Sequence, residues 1–397
     1  MIVRRRYDVV VVGARVAGAA TALHLARAGH HVLVVDRAGP PADTVSTHAI
    51  MRAGVLQLRK SGILDAIVRA HTPAIRRVDL VFGDQRVSFP VQPEHGVDAY
   101  YAPRRTVLDS AMLSAAAEAG AEFRTAVSVN DVVRDPTGRV AGVFARTRGG
   151  RAEHISARWV VGADGNRSRV ARAVRATVTR YQQPTNAVAY GYFAGINVPG
   201  YEFRFVGQRN VGLIPTNDGL TLVFVGGPVH AAGRNSYRYL TGTLDAVAPD
   251  MAAAVRAAEP AGRSYRTNGT ASVIRDPAGP GWALVGDAGF TEDPISAHGI
   301  TDALRDAETC AHAIDAALHD PWAEAEALAE YRTLRDHFAL PLFEHAVALA
   351  GFGWDAEEAS RLLRRLGEIG DAECRFLADR AAGTQPLPYG RVMISST

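Results

Sequence analysis

Gly13-Ala14-Arg15-Val16-Ala17-Gly18 is the first stretch whose residue types and spacing point to chemistry. It follows the β-branched run Val9–Val12 and precedes a helical pattern. In that setting a glycine turn presents backbone N–H groups to a pyrophosphate. Gly13 permits a tight turn and Gly18 permits close helix–strand contact. Arg15 stands where the common GxGxxG pattern has its middle glycine, so its side chain either points away or lends its guanidinium to the phosphates. Asp36 ends the next apolar run, 18 residues beyond Gly18, where a carboxylate can accept both hydroxyls of a ribose. This spacing predicts an adenosine-diphosphate group and leaves open which dinucleotide carries it.

The elements that must position these residues read as strand, turn, helix, strand: Tyr7–Val12, the glycine turn, a helix to about Ala28, then His31–Asp36. One helix is predicted over Arg52–Arg69, with Val55, Leu56, Leu58, Ile63 and Leu64 on its apolar side. Val78, Leu80, Phe82 and Val87, Phe89 alternate around Gly83-Asp84, which predicts a hairpin. A helix follows at Thr106–Ala119, then strands near Glu122–Val133 and Val140–Ala145, and a buried strand Trp159–Ala163. From Asn186 to about Arg275 the pattern predicts antiparallel strands, with Asn217-Asp218-Gly219 as one turn. Trp282–Val285 reads as a buried strand, and everything from Ile300 to about Ala382 as helix. The expected fold is α/β. A Rossmann-like dinucleotide-binding domain covers residues 1-75, 101-177 and 276-320. An inserted antiparallel β-sheet domain covers 76-100 and 178-275, and C-terminal helices fill 321-397.

Two later segments narrow the dinucleotide. The run from Trp159 to Ser168, with Gly162-Ala163-Asp164-Gly165 at its centre, resembles the GADGxxS segment of the p-hydroxybenzoate hydroxylase-like (group A) flavoprotein monooxygenases. Gly286-Asp287-Ala288, then Asp293-Pro294 and Ala297-His298-Gly299-Ile300, resembles that family's second FAD motif. The resemblance implies bound FAD, with NAD(P)H taken transiently, since no second glycine fingerprint follows. It implies that Asp287 bonds the ribityl chain and that Gly299 and Ile300 offer N–H groups to the flavin O2/N1 edge. Pro294 is then expected against the ring system, Asp164 between the flavin and nicotinamide surfaces, Arg105 on FAD and Arg52 near the pyrophosphate. Gly13, Arg15, Val16, Ala17, Gly18, Asp36, Arg37, Val129 and Gly286 complete the expected cofactor-binding set; Pro294, His48 and His298 form the catalytic one. Ser46-Thr47-His48 either brings Thr47 or His48 near the flavin or serves as a helix cap. The chain departs from the family at Phe290, Ser296, His298 and Thr301, where the family often has His, Gly, another polar residue and Asn.

Composition removes other classes. Hydrophobic residues are 47% and charged residues 21%, which argues for a globular chain over a disordered one. Only Cys310 and Cys374 occur, too few for a disulfide framework or a thiolate zinc site, and no metal site is expected. Net charge is +3 and the arginines are scattered, so nucleic acid is not an expected partner. No apolar run approaches the ~20 residues of a bilayer span, and Arg4-Arg5-Arg6 before Val9–Val12 reads as a strand lead-in rather than a signal peptide. A cytoplasmic location is expected.

The leading expectation is an FAD-dependent monooxygenase using NAD(P)H and O2, through a C4a-hydroperoxyflavin, on an aromatic or polyketide-like small molecule. The alternatives are a flavin-dependent reductase of prenyl or quinone C=C bonds, a halogenase, and a flavoprotein without turnover. Halogenation needs a lysine between flavin and substrate, and Lys60 is the chain's only lysine. Tyr190, Tyr192, Phe193, Phe203 and Phe205 either line a substrate cavity or build a core. Tyr181, Arg204 and Arg209 are candidate anchors for an acidic substrate.

Overall fold

The computed structural model describes residues 7–39, 41–44, 46 and 48–381. Thr47, Arg4–Arg6 and residues 382–397 lie outside the described residues. The chain opens with β1 (Tyr7–Val12), α1 (Val16–Arg27), β2 (Val32–Val35), α2 (Arg52–Lys60) and α3 (Leu64–Arg69). Next come β3 (Arg77–Phe82), β4 (Gln85–Pro90), α4 (Arg105–Glu118), β5 (Glu122–Arg124) and β6 (Val127–Arg134). Then follow β7 (Val140–Thr147), β8 (Ala152–Gly162), α5 (Arg169–Ala173), β9 (Val178–Gln182) and β10 (Asn186–Ala194). The middle adds β11 (Tyr201–Val206), β12 (Arg209–Pro215), β13 (Leu220–Pro228), α6 (Ser236–Val247) and α7 (Pro249–Ala257). Short strands β14 (Glu259–Pro260), β15 (Tyr265–Thr267), β16 (Ser272–Arg275), β17 (Ala278–Gly279), β18 (Trp282–Leu284) and β19 (Phe290–Thr291) precede three long helices. These are α8 (Gly299–His319), α9 (Glu324–Ala350) and α10 (Ala356–Ala381).

The first sheet runs β17-β18-β8-β1-β2-β5, and its central pairings β18–β8, β8–β1, β1–β2 and β2–β5 are parallel. Val9, Val10 and Val11 have no exposed surface, because helices cover one face and the β6–β7–β8 meander the other. Alternate strand residues feed the two cores: Val9 and Val11 pack with α1, α4 and α8, while Val10 and Val12 pack with Val129, Val143 and Leu284.

The second sheet runs β14-β10-β13-β12-β11-β3-β4, with β15 on β10. The β3–β4 hairpin turns at Gly83, and Asp218 turns β12 into β13 at φ +64. Three features differ from the sequence reading. β11 pairs with β3 in parallel, so the sheet is not wholly antiparallel. Helices α6 and α7 interrupt the supposed run of strands and bury Tyr239, Leu240, Leu244, Met251, Ala252 and Val255 against one sheet face. The predicted helix 52–69 is two helices, broken at Ser61-Gly62, where Gly62 takes φ +75. From Gly299 the chain is helical to Ala381 apart from short connections, as expected.

Candidate functional site

Three segments far apart in sequence meet at the carboxyl ends of neighbouring parallel strands. Gly13 follows β1 at φ +110, and a Cβ there would lie 2.3 Å from the Ala163 carbonyl oxygen. A Cβ on Gly18 would lie 1.8 Å from the Gly13 oxygen, so both glycines are imposed by contact. Gly286, after β18, sits at φ +54, with Ala17 of α1 and Ala303 of α8 at 3.0 and 3.3 Å from the place of its Cβ. The turn after β1, the end of β8 and the Gly286-Asp287 turn therefore pack around one cleft, flanked by the N-termini of α1 and α8. Neither helix has a side-chain N-cap bond, and Arg15 and Gly299 at their starts are exposed.

Asp36 accepts the Ala14 N–H at 2.7 Å and the Ala38 N–H at 2.7 Å, tying the glycine turn to the end of β2. Arg37 beside it is exposed. It lines an open cavity of about 460 Å³ with Ala38, Ser128, Arg146, Thr147 and Arg148. Val129 is buried in β6, and its carbonyl accepts from Arg169 at 3.3 Å. Asp164 spends its carboxylate on α5, accepting from Ser168 Oγ at 2.5 Å and the Arg169 N–H at 2.6 Å.

Asp287 reaches solvent, yet protein atoms ring it closely. Burial pushes its carboxyl up to about 6, Arg105 opposes that shift and Asp302 adds to it. Arg105, at the start of α4, is buried and bidentate on Asp109, with N···O distances of 2.9–3.2 Å. Its charge acts on Asp287, Arg15 and His48, which places it among the expected residues. Arg52 is engaged elsewhere. It donates to the Gln92 carbonyl at 2.6 Å and lies 3.6 Å from Glu94 and 3.9 Å from Asp371. None of its partners belongs to the Gly13–Gly18 turn, because α2 directs this side chain at the loop after β4 and at α10.

Pro294 is half-buried and opens a single 3-10 turn that ends at Ala297 with φ +54. Asp293 sets this turn. It accepts the Ile295 N–H at 3.0 Å and Asn186 Nδ2 of β10 at 2.8 Å, so the second sheet grips the loop. Burial pushes the Asp293 carboxyl up to about 7, against the Asn186 and Ile295 hydrogen bonds.

His48 is 1% exposed at φ +64, stacks on Tyr192 and bonds the Tyr192 hydroxyl through Nε2, while Nδ1 has no hydrogen-bond partner among the described residues. Burial, reinforced by Arg105 and Arg104, drives its pKa down to about 3, so the ring is neutral at ordinary pH. Tyr192 carries Arg104 over its ring at 4.7 Å, and Arg104 pairs with Asp43. His298 turns into a buried group with Asp302 at 3.6 Å and Glu373 at 3.4 Å. These three have metal-ligand types within reach of one another, as do His30, Asp315 and His319. Arg305 already supplies the positive charge of the first group, at 2.6 Å from Asp302 and 2.7 Å from Glu373.

Sequence reasoning missed Glu373, which carries no local signal. It named Asp293 within the second motif and Tyr192 among the aromatics without giving either the contacts found here, although the Asp-Pro start of a turn signalled the first. Tyr190 and Tyr192 are 1% and 2% exposed, packed as core. Arg204 pairs with Glu202 and Asp250, while Tyr181 is exposed on β9. Lys60 pairs with Glu308 of α8 at 3.1 Å.

Comparison with known proteins agrees with this geometry. The family model described as an FAD binding domain matches residues 6–346. The menaquinone reductase of Mycolicibacterium smegmatis is 29% identical over 323 residues, 74% of this chain and 73% of that protein. The structure of a probable FAD-dependent monooxygenase from Pseudomonas aeruginosa superposes with TM-score 0.79 at 22% identity, over 91% of this chain and 100% of that one. A flavin-dependent brominase gives TM-score 0.77 at 20% identity, over 96% of this chain and 100% of that one.

Proposed function

The chain belongs to the FAD binding domain family, that of the p-hydroxybenzoate hydroxylase-like flavoprotein monooxygenases, and on that premise we propose that it is an NAD(P)H-dependent monooxygenase of an apolar aromatic or polyketide-like small molecule. Its class, an FAD-dependent oxidoreductase, follows from the family. The observation that carries the proposal is the joining of the three segments at one cleft whose glycines leave no room for a Cβ. FAD bound there would supply the redox chemistry and the activation of dioxygen.

The residues of this chain bind, orient and shield. In this reading the N–H groups from Gly13 through Gly18, with Arg15 exposed beside them, hold the pyrophosphate. Asp36 takes the ribose, with Arg37 and Val129 at the adenosine end. Asp287 bonds the ribityl chain, Arg105 balances its charge, and Gly299 and Ile300 present the start of α8 to the pyrimidine edge. Pro294 faces the substrate side. His48 works as a neutral imidazole whose ring Tyr192 holds, a hydrogen-bond partner for a ring hydroxyl. Asp164 and Arg52 act here by holding α5 and the loop 92–97 in place, and His298 by holding the start of α8. Residues 1-75, 101-177 and 276-320 form the cofactor unit, and 76-100 and 178-275 the unit that covers substrate. No helix among the described residues is long and apolar enough to cross a membrane, and a cytoplasmic location suits this reading.

A second reading, reduction of a prenyl or quinone C=C bond, is favoured by the menaquinone reductase match across 74% of the chain. Halogenation finds no lysine at the cleft, since Lys60 is tied to the flank of α8. Turnover of a phenol and quinone panel under ¹⁸O-labelled dioxygen separates the first two. One labelled atom in the product is expected; an unlabelled product formed equally well without oxygen would transfer the assignment to the reductase.

A further inference from the structure

We propose that Glu373, on the C-terminal helix α10, is a positioning residue of the flavin cleft: through His298 and Arg305 it holds the first turn of α8 and balances the charge of Asp302 behind that turn. The proposal rests on the cofactor reading above.

Asp302, Arg305, Asp306 and Glu373 are each at most 2% exposed and His298 is 4% exposed, so five ionisable groups share one water-poor volume. Arg305 is its hub. Its guanidinium lies 2.6 Å from Asp302, 2.9 Å from Asp306 and 2.7 Å from Glu373 Oε1. The other Glu373 oxygen lies 3.4 Å from His298 Nε2, and Nδ1 of that ring lies 3.6 Å from Asp302. Glu292, in the loop before the Pro294 turn, completes the acidic surroundings of Asp302. Of these groups Glu373 alone comes from outside α8 and its lead-in loop, 68 residues from Arg305, while Arg335 of α9 also acts on Asp306. Gly370, one turn earlier on α10, lies over the His298 ring, where an added Cβ would stand 3.8 Å from Nε2.

A staple needs less than this. An apolar contact would anchor α10 at lower desolvation cost, since buried ion pairs seldom repay their own burial. The charges here have a second destination, because Asp302 acts on Asp287 and raises its carboxyl. Burial opposes charge on both His298 and Asp302. Even so, Glu373 and Asp302 hold His298 above its usual range, and Arg305 and His298 hold Asp302 below its own. Removing the Glu373 charge takes away one of the two carboxylates that keep His298 protonated. As His298 loses its proton, Asp302 becomes less balanced, and negative charge grows beside Asp287 and the start of α8, where an anionic cofactor would sit.

The test compares FAD affinity of Glu373→Gln and wild-type protein at pH 6 and pH 8, by flavin fluorescence, alongside urea unfolding of the FAD-free proteins. Glu368→Gln, an exposed partner of Arg365 on the same helix, is the control. Wild type and control are expected to bind equally at both values. The Glu373→Gln protein should bind roughly tenfold more weakly at pH 8 than at pH 6, the effect of about one pKa unit of coupling. A Glu373→Gln protein that is less stable yet shows the wild-type affinity at both pH values would reduce Glu373 to a structural staple and overturn the proposal. If that variant does not fold, His298→Gln serves, with weaker affinity expected that no longer changes with pH; wild-type affinity in it also overturns the proposal. Wild-type protein that binds no FAD would instead remove the cofactor reading.

Discussion

Replacing Arg105 by Met tests whether the buried guanidinium serves the cofactor cleft as well as the fold. Arg105 and Asp109 are 8% and 2% exposed and joined by contacts of 2.9–3.2 Å, so loss of the arginine strands a buried carboxylate. Breaking one side of such a pair costs about 3–5 kcal/mol. Burial already raises the Asp109 carboxyl, and Arg105 is the main force holding it down, so the variant's Asp109 rises further. A carboxyl whose folded pKa exceeds its unfolded value favours the folded state at low pH and loses that contribution as pH rises through the folded value. The stability deficit should therefore be small near pH 4 and reach its full size by pH 8, read from urea unfolding midpoints. The double variant Arg105→Met/Asp109→Leu removes the stranded charge and should recover most of the stability. It should not recover FAD affinity, because Arg105 also offsets the shift of Asp287. Wild-type stability of the single variant at pH 8, or wild-type FAD affinity of the double variant, would refute this reasoning.

Heat release of the bound chromophore should yield FAD; recovery of FMN would contradict the roles given to Asp36 and the Gly13–Gly18 turn. Asp287→Ala should weaken FAD binding about 10- to 150-fold, the loss of one charge-assisted hydrogen bond of about 1.5–3 kcal/mol. Asp293→Asn keeps an acceptor for Ile295 and Asn186 but removes a carboxyl whose folded value is pushed up to about 7. That raised value means stability lost from about pH 4 through 7, so the variant should gain roughly 1–3 kcal/mol at pH 8 and little at pH 4, by urea midpoint. Gly13→Ala should cost at least about 2 kcal/mol, since its Cβ meets the Ala163 oxygen at 2.3 Å. Gly29→Ala, with a similar φ of +88 and nothing within 4 Å, should cost less; equal unfolding midpoints for the two variants would discount the contact argument.

The parts of the fold written in local pattern were legible. β1, the glycine turn, α1, β2 and Asp36 follow one another within thirty residues, where period and turn chemistry agree. The β3–β4 hairpin and the Asp218 turn were readable from Gly83-Asp84 and Asn217-Asp218-Gly219. Helices α6 and α7 were hidden inside a stretch read as strands, although Asn235 caps the first and Pro249 opens the second. Their apolar faces, Tyr239, Leu240 and Leu244, then Met251, Ala252 and Val255, have helical spacing, but the β-branched runs on either side dominated the reading. The parallel β11–β3 pairing was beyond reach because strand order is a tertiary property. The charged group on α8 was not legible, for a physical reason. Asp302, Arg305 and Asp306 have the composition of a solvated helix face, and their burial comes from residues far along the chain, Glu373 of α10 and Phe338 of α9 among them.

The cleft by itself suits both oxygenation and hydride transfer, because the loops at the strand ends bind a cofactor without choosing its partner. The choice belongs to the residues that cover it. Oxygenation needs water kept out of the cleft, and it gains from a hydrogen-bond partner that orients a substrate hydroxyl. Reduction of a C=C bond needs a proton delivered to carbon after the hydride. A histidine held neutral down to about pH 3 cannot deliver that proton at ordinary pH and is too weak a base to take one from a phenol, so His48 suits an orienting hydrogen bond. Its place supports the same direction. It bonds a tyrosine hydroxyl on a strand of the second sheet, and Asn186 on that strand also fixes the Pro294 turn. In the proposed reading the second sheet is thus tied to both the orienting imidazole and the flavin-side turn. His48→Phe keeps an aromatic ring but removes both ring nitrogens, and with them the bond to Tyr192. With a substrate in hand, it should lower turnover at least tenfold while leaving flavin reduction by NAD(P)H unchanged. Equal loss in both half-reactions would assign His48 to the fold instead.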